Sequence, residues 1–489
     1  MKIKVPFRTV IGGATCGPPD FFQCQRDALS WSLTRDRPAF FMEMRLGKTR
    51  VSIAWANAHG CRRNLVVCPV TVIGSWQDEL KIVGEPAPYI MRDPERLHAS
   101  AQYKWNLTNF EFVRLHPNIS TMDWDAVIVD ESTRIKDPKS QVGRALIGGT
   151  AKRKVRGTEE YERVAFPGCH APHRAILSGL PAPEGPLNYF CQFQFLHGGM
   201  LNCRGYYMFR DHFFAPGPMG WDYEPTSRGR FMIKQYLHEN AFVLSRKQAG
   251  LKNHKVYETR RVELPPALRR AYNKVEKEYI AEYEGRHLGD TQWAMVASTW
   301  LARMAGGFLP VQPTVDLNED ITDSPGEFVS DAKVKELVAL VMTELKDQQI
   351  IVWYRFNAEI EESISALRKV GIDAAAIMGV TPYATRDQFR RMFAKGEIRI
   401  ILCQIKCARY GIDLSAADTA IYFSNSYALE ERAQSEDRIV HPLKTTPLLY
   451  IDLVAANTVD EAVVETLREK HADARYFLSK LIERFRGRR

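Results

Sequence analysis

The sequence predicts an α/β protein of two parallel-sheet units in tandem, with helical insertions between them. Three observations predict it. Strand-length runs that are almost wholly apolar recur in two clusters, as strands buried on both faces do. The first holds Phe40-Phe41-Met42, Leu65-Val66-Val67-Cys68 and Ala126-Val127-Ile128-Val129; the second holds Ile350-Ile351-Val352-Trp353-Tyr354 and Ile400-Ile401-Leu402-Cys403. Helical patterns follow the runs, as crossover connections require. An acidic, proline-bearing stretch at 311–330 separates the clusters and reads as a linker.

At 489 residues the chain exceeds one compact core, and the expectation is roughly three domains. Hydrophobic residues make up 45% and charged residues 26%, a globular composition. No segment approaches the ~18 uninterrupted apolar residues of a membrane span. Met1-Lys2-Ile3-Lys4-Val5-Pro6 carries charge without the apolar core of a signal peptide, so a cytoplasmic location is expected. The formal charge of +9 suits a polyanionic partner. The nine cysteines include no Cys-x-x-Cys pair and several sit in apolar runs, which predicts reduced core thiols. Cys169, His170, His173, Cys191 and Cys203 match no recurrent zinc spacing.

In chain order, residues 1–20 are irregular, broken by Gly12-Gly13 and Gly17-Pro18-Pro19. Phe21 to Leu33 reads as a helix carrying Gln25, whose amide both donates and accepts and so can pair with adenine. The run ending at Met42 then enters a turn at Gly47, and Lys48-Thr49 open an amphipathic helix. This is the strand–loop–helix setting of a phosphate-binding loop, although Met42 stands where the full pattern has its first glycine. Lys48 would reach the β- and γ-phosphates, and the Thr49 hydroxyl would ligate Mg²⁺. After the second strand, Val70 to Lys81 reads as a turn and helix. The third strand ends in Asp130-Glu131. Asp130 would hold the metal and Glu131 would orient and deprotonate the attacking water. Ligands of open α/β sheets bind at the carboxyl ends of strands, which brings Gly47-Lys48-Thr49 and Asp130-Glu131 to one site.

These residues resemble the Swi/Snf-like branch of the superfamily-two helicase-type motors. Glu43 to Thr49 is similar to its Asp-Glu-Met-Gly-Leu-Gly-Lys-Thr, and Asp130 to Ser140 to its Asp-Glu-Ala-His-Arg-Ile-Lys-Asn. Val67-Cys68-Pro69 with Trp76 and Glu79 resembles the Ia region, which contains Thr71, and Leu107 to Glu111 the Ib region. Gln25 falls at the adenine-reading glutamine, and Ser178-Gly179-Leu180-Pro181 at a Thr-Gly-Thr-Pro. Ala408 to Leu414, with Arg409, Gly411 and Asp413, resembles motif V. Gln434 to His441 resembles motif VI, with its first arginine at Arg438 and its second replaced by His441; Lys444 is a nearby candidate for the missing charge. Motifs I, II, V and VI stand in the family's order.

The resemblance implies two RecA-like lobes: residues 1–186, with a basic insertion at about 145–172, and residues 331–489, ending in a helix and a basic tail. Between them it implies a helical, aromatic-rich region at 187–310, with helical patterns at 233–250, 266–284 and 291–305. It further implies ATP and Mg²⁺ as cofactors. Lys48, Asp130, Glu131 and Arg438 would be catalytic, Arg438 reaching the triphosphate from the second lobe. Gln25, Gly47, Lys48, Thr49, Gly411, Asp413, Gln434 and Arg438 would bind nucleotide, and Thr49 and Asp130 the metal. DNA is the implied partner of a monomeric motor, duplex before single-stranded or branched forms, with RNA less favoured, in a bacterial or phage-infected cell. Lys152, Arg153, Lys154 and Arg156, with Thr71 and Arg409, would touch the phosphate backbone. Two alternatives stand beside this: a nucleotide-gated DNA-binding module without turnover, given Arg45 and His441, and an RNA helicase of the same superfamily.

Overall fold

Alternation along the buried strands builds the fold. The computed structural model describes residues 21–154, 161–217, 223–250, 254–285, 291–310, 326–410, 412–441, 444 and 446–469. It divides into two units, Met1–Lys252 and Asn253–Arg489.

The first unit runs α1 (Gln23–Ser32), β1 (Ala39–Met42), α2 (Lys48–Ala58), β2 (Asn64–Cys68), α3 (Ile73–Ile82), β3 (Tyr89–Ile90), β4 (Trp105–Asn109), α4 (Phe110–Leu115), β5 (Ala126–Asp130) and α5 (Gln141–Ile147). There follow β6 (Gly149–Lys154), β7 (Tyr161–Phe166), β8 (His173–Leu177), α6 (Tyr189–His197), α7 (Tyr206–Phe213), the short pair β9 (Phe214–Pro216) and β10 (Tyr223–Pro225), α8 (Ser227–Asn240) and β11 (Ala241–Leu244). Seven strands form one sheet in the order β11-β1-β8-β5-β2-β4-β3, and every pairing in it is parallel. Period-two geometry sends Phe41, Val67 and Val129 into one core and Phe40, Val66 and Ile128 into the other. Each face is covered by helices, which is why these strands read as unbroken apolar runs.

The second unit runs β12 (Lys255–Val262), α9 (Pro266–Gly285), α10 (Thr291–Ala305), β13 (Phe308–Pro310), β14 (Gly326–Phe328), α11 (Ala332–Met342), β15 (Ile350–Tyr354), α12 (Asn357–Lys369), β16 (Ala374–Ile377), α13 (Tyr383–Ala394), β17 (Ile400–Gln404), β18 (Thr419–Tyr422), α14 (Leu429–Glu436), β19 (Leu448–Ala455) and α15 (Val459–Arg468). Its six-stranded sheet, β12-β19-β18-β15-β17-β16, is also parallel throughout. Ile351 and Trp353 enter one core, Ile350 and Val352 the other. Two parallel-sheet α/β units with helical insertions are therefore the architecture of the chain.

Three local expectations change. Residues 187–310 contribute to both units, β11 joining the first sheet beside β1 and β12 the second beside β19. The helical pattern at 233–250 stops at Asn240, because Ala241-Phe242-Val243-Leu244 pairs residue for residue with Ala39 to Met42. The basic insertion is a β-hairpin in its described part, with Lys152 opposite Arg163 and Arg153 opposite Glu162. Most of the 311–330 linker lies outside the described residues, as do the C-terminal helix beyond Glu469 and the basic tail. The eight cysteines among the described residues are unpaired and all but Cys24 are buried. Burial pushes their thiols upward, Cys61 to about 11 and Cys191 to about 12.

The second unit buries a carboxyl group that makes its stability pH-dependent. Glu359 is inaccessible to solvent. Its Oε2 accepts from the Ser424 hydroxyl and the Phe356 N–H, while its Oε1 is buried without a hydrogen bond among the described residues. Desolvation raises the carboxyl to about 7, opposed by the charge of Lys333 and the Ser424 hydrogen bond. Between its unfolded value near 4.5 and about 7, the folded unit holds a proton that the unfolded chain has released. Stability is therefore full below that window and falls as pH rises through it, by roughly 3 kcal/mol in all. Glu359→Gln is expected to flatten that fall. Urea midpoints at pH 5 and pH 8 measure it, and equal slopes for both proteins would refute the assignment.

Candidate functional site

Strand β1 ends at Met42 and the chain turns through Glu43 to Gly47 before α2 begins. Two residues of this loop sit in the left-handed region, Arg45 at φ 68° and Gly47 at φ 78°. Glycine tolerates that conformation; arginine carries strain of about 1–2 kcal/mol there. A side chain at 47 would also collide with Gln25, since an added Cβ would lie 2.0 Å from its Nε2. Gln25 is buried, accepting from the Phe22 N–H at 3.1 Å and donating to the Leu46 carbonyl at 3.2 Å. Its amide thus braces the loop from behind. No side chain caps the start of α2, so its first amides and the positive end of its dipole are directed at the loop's mouth.

Lys48 opens α2, and its ammonium donates to the carbonyls of Met42 at 2.8 Å and Glu43 at 3.2 Å. Thr49 follows, half-buried. Strand β8, between β1 and β5, delivers Ser178-Gly179 to the same edge. A Cβ on Gly179 would crowd the loop at Met44, 3.0 Å from its Cγ and 3.3 Å from its backbone N, while standing in ordinary contact with the Lys48 Nζ at 3.6 Å, so glycine leaves room for the loop.

Asp130 ends β5 with 6% of its surface exposed. Its Oδ2 accepts from the Trp76 indole N–H at 2.9 Å and its Oδ1 from the Glu131 N–H at 2.9 Å. Desolvation raises its pKa, opposed by the indole, the charge of Lys48 and the Glu131 amide. Glu131 lies at φ 54°, a strained position for a non-glycine residue. A buried carboxylate oriented by an indole, an ammonium whose charge it feels, a threonine hydroxyl and an uncapped helix start form a donor set suited to a magnesium-bound triphosphate. Sequence reasoning passed over Trp76 and Gly179 as site residues, although both stood in quoted motifs.

Thr71 lies in the turn Val70–Val72 beyond β2, its hydroxyl buried without a hydrogen bond among the described residues. In the basic hairpin, Lys152 is exposed and its carbonyl accepts from Gln141 Nε2 at 2.8 Å. Arg153 and Lys154 are described by backbone only, and Arg156 lies outside the described residues.

In the second unit, two loops meet. The Leu414 N–H donates to the Arg438 carbonyl at 3.2 Å, joining the segment of Asp413 to the residue two positions beyond α14. Asp413 Oδ1 accepts from the Ser415 N–H at 3.0 Å. Gln434 donates to Glu430 at 3.0 Å while its Oε1 stays buried and unsatisfied among the described residues. Arg438 is buried, with its charge felt by Cys403. Gly411 lies outside the described residues, and Arg409 is described by backbone only, within Ile405–Tyr410. Lys444 is committed elsewhere: its ammonium donates to the Ala417 carbonyl at 2.6 Å and pairs with Asp418 at 2.5 Å.

Comparison with known proteins adds the lineage. A model of the SNF2-related domain matches residues 24–302, and one of the helicase conserved C-terminal domain matches residues 332–442. The chain is 23% identical over 363 residues to "Putative protein p41" of Acyrthosiphon pisum secondary endosymbiont phage 1, covering 72% of this chain and 71% of that protein. It is 20% identical over 464 residues to "Transcription regulatory protein SNF2" of Saccharomyces cerevisiae, covering 88% of this chain but only 26% of that one. Among solved structures, the "Sulfolobus solfataricus SWI2/SNF2 ATPase core in complex with dsDNA" aligns over 95% of this chain and 93% of its own, at 16% identity and a TM-score of 0.44. No helix among the described residues is long and apolar enough to cross a membrane.

Proposed function

The chain belongs to the SNF2-related family, and on that premise we propose that it is an ATP-hydrolysing motor working on duplex DNA in the cytoplasm of a bacterial or phage-infected cell. The observation that carries this reading is the convergence of Lys48, the uncapped start of α2 and the Trp76-held Asp130 at one sheet edge. Lys48 and the α2 amides bind the triphosphate. Thr49 and Asp130 hold Mg²⁺, which supplies charge neutralisation on the phosphoryl oxygens. Glu131 takes the proton of the attacking water. Arg438 stabilises the charge that builds on the transferring group, and Gly411, Asp413 and Gln434 join it in binding the nucleotide. Gln25 reads the base and keeps the loop in register. Thr71, Arg409 and the basic residues Lys152, Arg153, Lys154 and Arg156 contact phosphates without reading sequence, as a motor on any track requires.

A second reading, a nucleotide-gated DNA-binding module without turnover, is favoured by one observation. His441 stands in place of a motif arginine, and Lys444 is held by Asp418. The deciding experiment measures ATP turnover with Mg²⁺ alone and with duplex DNA, single-stranded DNA or RNA. The motor reading expects stimulation, greatest with duplex DNA, and a drop of at least ~100-fold in Lys48→Ala. Turnover no higher than that variant overturns it. ATP binding without turnover selects the second reading, and stimulation by RNA alone selects an RNA motor.

A further inference from the structure

A second cluster of ligating side chains lies at the opposite end of the first sheet. Asp36 precedes β1, His173 begins β8 and His59 ends α2. One ligand atom from each falls within 4.8 Å of the other two. His173 Nδ1 stands 3.4 Å and His59 Nε2 3.9 Å from Asp36 Oδ1, and the two imidazole rings meet edge to face at 5.0 Å. Tetrahedral ligands at the ordinary zinc–nitrogen distance of about 2.0–2.1 Å stand about 3.3 Å apart. Against that spacing the Asp36–His173 pair is already in place, the Asp36–His59 pair is about 0.6 Å wide, and all three atoms lie within 4.8 Å of one another, so side-chain rotation alone would close the triad on an ion.

We propose that Asp36, His59 and His173 form a binding site for a divalent transition-metal ion of the zinc class, with a fourth position open to water. The tautomers suit it. His59 Nδ1 is 3.0 Å from the Trp55 carbonyl, which can only accept, so Nδ1 carries the proton and the lone pair of Nε2 faces Asp36. A ligating histidine is usually oriented by just such a carbonyl on its other nitrogen. His173 Nδ1 is buried with no hydrogen bond among the described residues. Asp36 is mostly exposed and stands at a cleft of about 420 Å³ that also takes in Arg35, Arg37, His197 and Asn240, giving an ion a path from solvent. His197 has both ring nitrogens engaged, by the Tyr236 hydroxyl and the Arg37 carbonyl. Arg37 opposes a cation, and Asp125 with Asp36 favours one; Arg37 also donates to the Pro172 and Leu196 carbonyls. A bound ion would tie the end of α2 to the roots of β1 and β8, about 16 Å along α2 from its phosphate-loop end.

Tag-free full-length protein, stripped with a chelator and held in excess Mg²⁺, is titrated with Zn²⁺ against a chromophoric competitor and separately with Co²⁺. Wild type is expected to take up one equivalent more than Asp36→Asn or His173→Gln, with at least tenfold tighter binding. The Co²⁺ form is expected to show the intense visible bands of four-coordination. Zn²⁺ is expected to raise the melting temperature of wild type and not that of Asp36→Asn, whose exposed substitution leaves the core intact. Cysteine-bound zinc is common to all three proteins and cancels. Equal stoichiometry and affinity in wild type and Asp36→Asn, or six-coordinate Co²⁺ spectra in both, would overturn the proposal.

Discussion

Glu131→Gln is expected to cut ATP turnover by ~10²–10⁴-fold, the usual worth of a positioned general base, while nucleotide binding stays within a few-fold of wild type. The exchange keeps shape and reach and removes the negative charge, and with it the ability to accept a proton. The backbone disfavours any side chain at this position. At φ 54° Glu131 occupies the left-handed region directly after a fully buried strand, where a non-glycine residue costs about 1–2 kcal/mol. Such strain persists where the side chain has a task. Glu131→Gly separates task from strain: it is expected to lose turnover with no fall in stability, since relief of the left-handed penalty offsets the entropy glycine costs. Single-turnover kinetics, fluorescent-nucleotide binding and thermal melts test the set. A Gln variant that turns over at more than a tenth of the wild-type rate would remove Glu131 from the base role.

The motifs and buried strands were legible in the sequence because they depend on local order. Phe40-Phe41-Met42 and Ala126-Val127-Ile128-Val129 announce strands buried on both faces, and Lys48-Thr49 and Asp130-Glu131 announce their carboxyl-end loops. What escaped depends on partners distant in sequence. Ala241-Phe242-Val243-Leu244 continues a helical pattern until the free edge of β1 supplies a parallel partner. Gly149–Lys154, with a leading glycine and three consecutive basic residues, reads as a loop until Tyr161–Phe166 pairs with it. Gln25 stands out in the sequence as a candidate for adenine, but its brace on the turn at Gly47 comes only when residues more than twenty positions apart fold together. Trp76 looks like core, and is core, but its indole N–H is aimed at Asp130 and no pattern in the chain encodes that direction.

Arg432→Ala is expected to destabilise the second unit by about 3–5 kcal/mol, and with it the placement of Arg438. Arg432 lies on α14 beneath the surface, its guanidinium 3.5 Å from the Tyr422 ring centroid. Nε donates to Glu436 at 2.8 Å, and Nη1 to Asn425 at 2.7 Å and Asp452 at 2.5 Å. Glu436 in turn accepts from Lys255 at 2.7 Å and the Tyr257 hydroxyl at 2.8 Å. Despite desolvation, the cations Lys255 and Arg432 hold its carboxyl below the usual value. Truncating Arg432 leaves Asp452, 1% exposed, short of its main cation, and an unpaired buried charge costs more than the pair contributed. Arg432→Lys is expected to restore less than half of the loss, because a point charge cannot span Glu436, Asn425 and Asp452 at once. The same face of α14 is fixed by the Ser435 and Tyr422 hydroxyls at 2.8 Å and by the Tyr450 hydroxyl on the Glu436 carbonyl at 2.9 Å. Arg438 follows two residues past the helix end. Loosening α14 is therefore expected to lower the turnover of the still-folded fraction by more than it weakens nucleotide binding, a kcat effect larger than the KM effect. Urea denaturation beside steady-state kinetics separates the two consequences. An Arg432→Ala protein that melts within 1 kcal/mol of wild type would show that this network is not what holds α14 to β18 and β19.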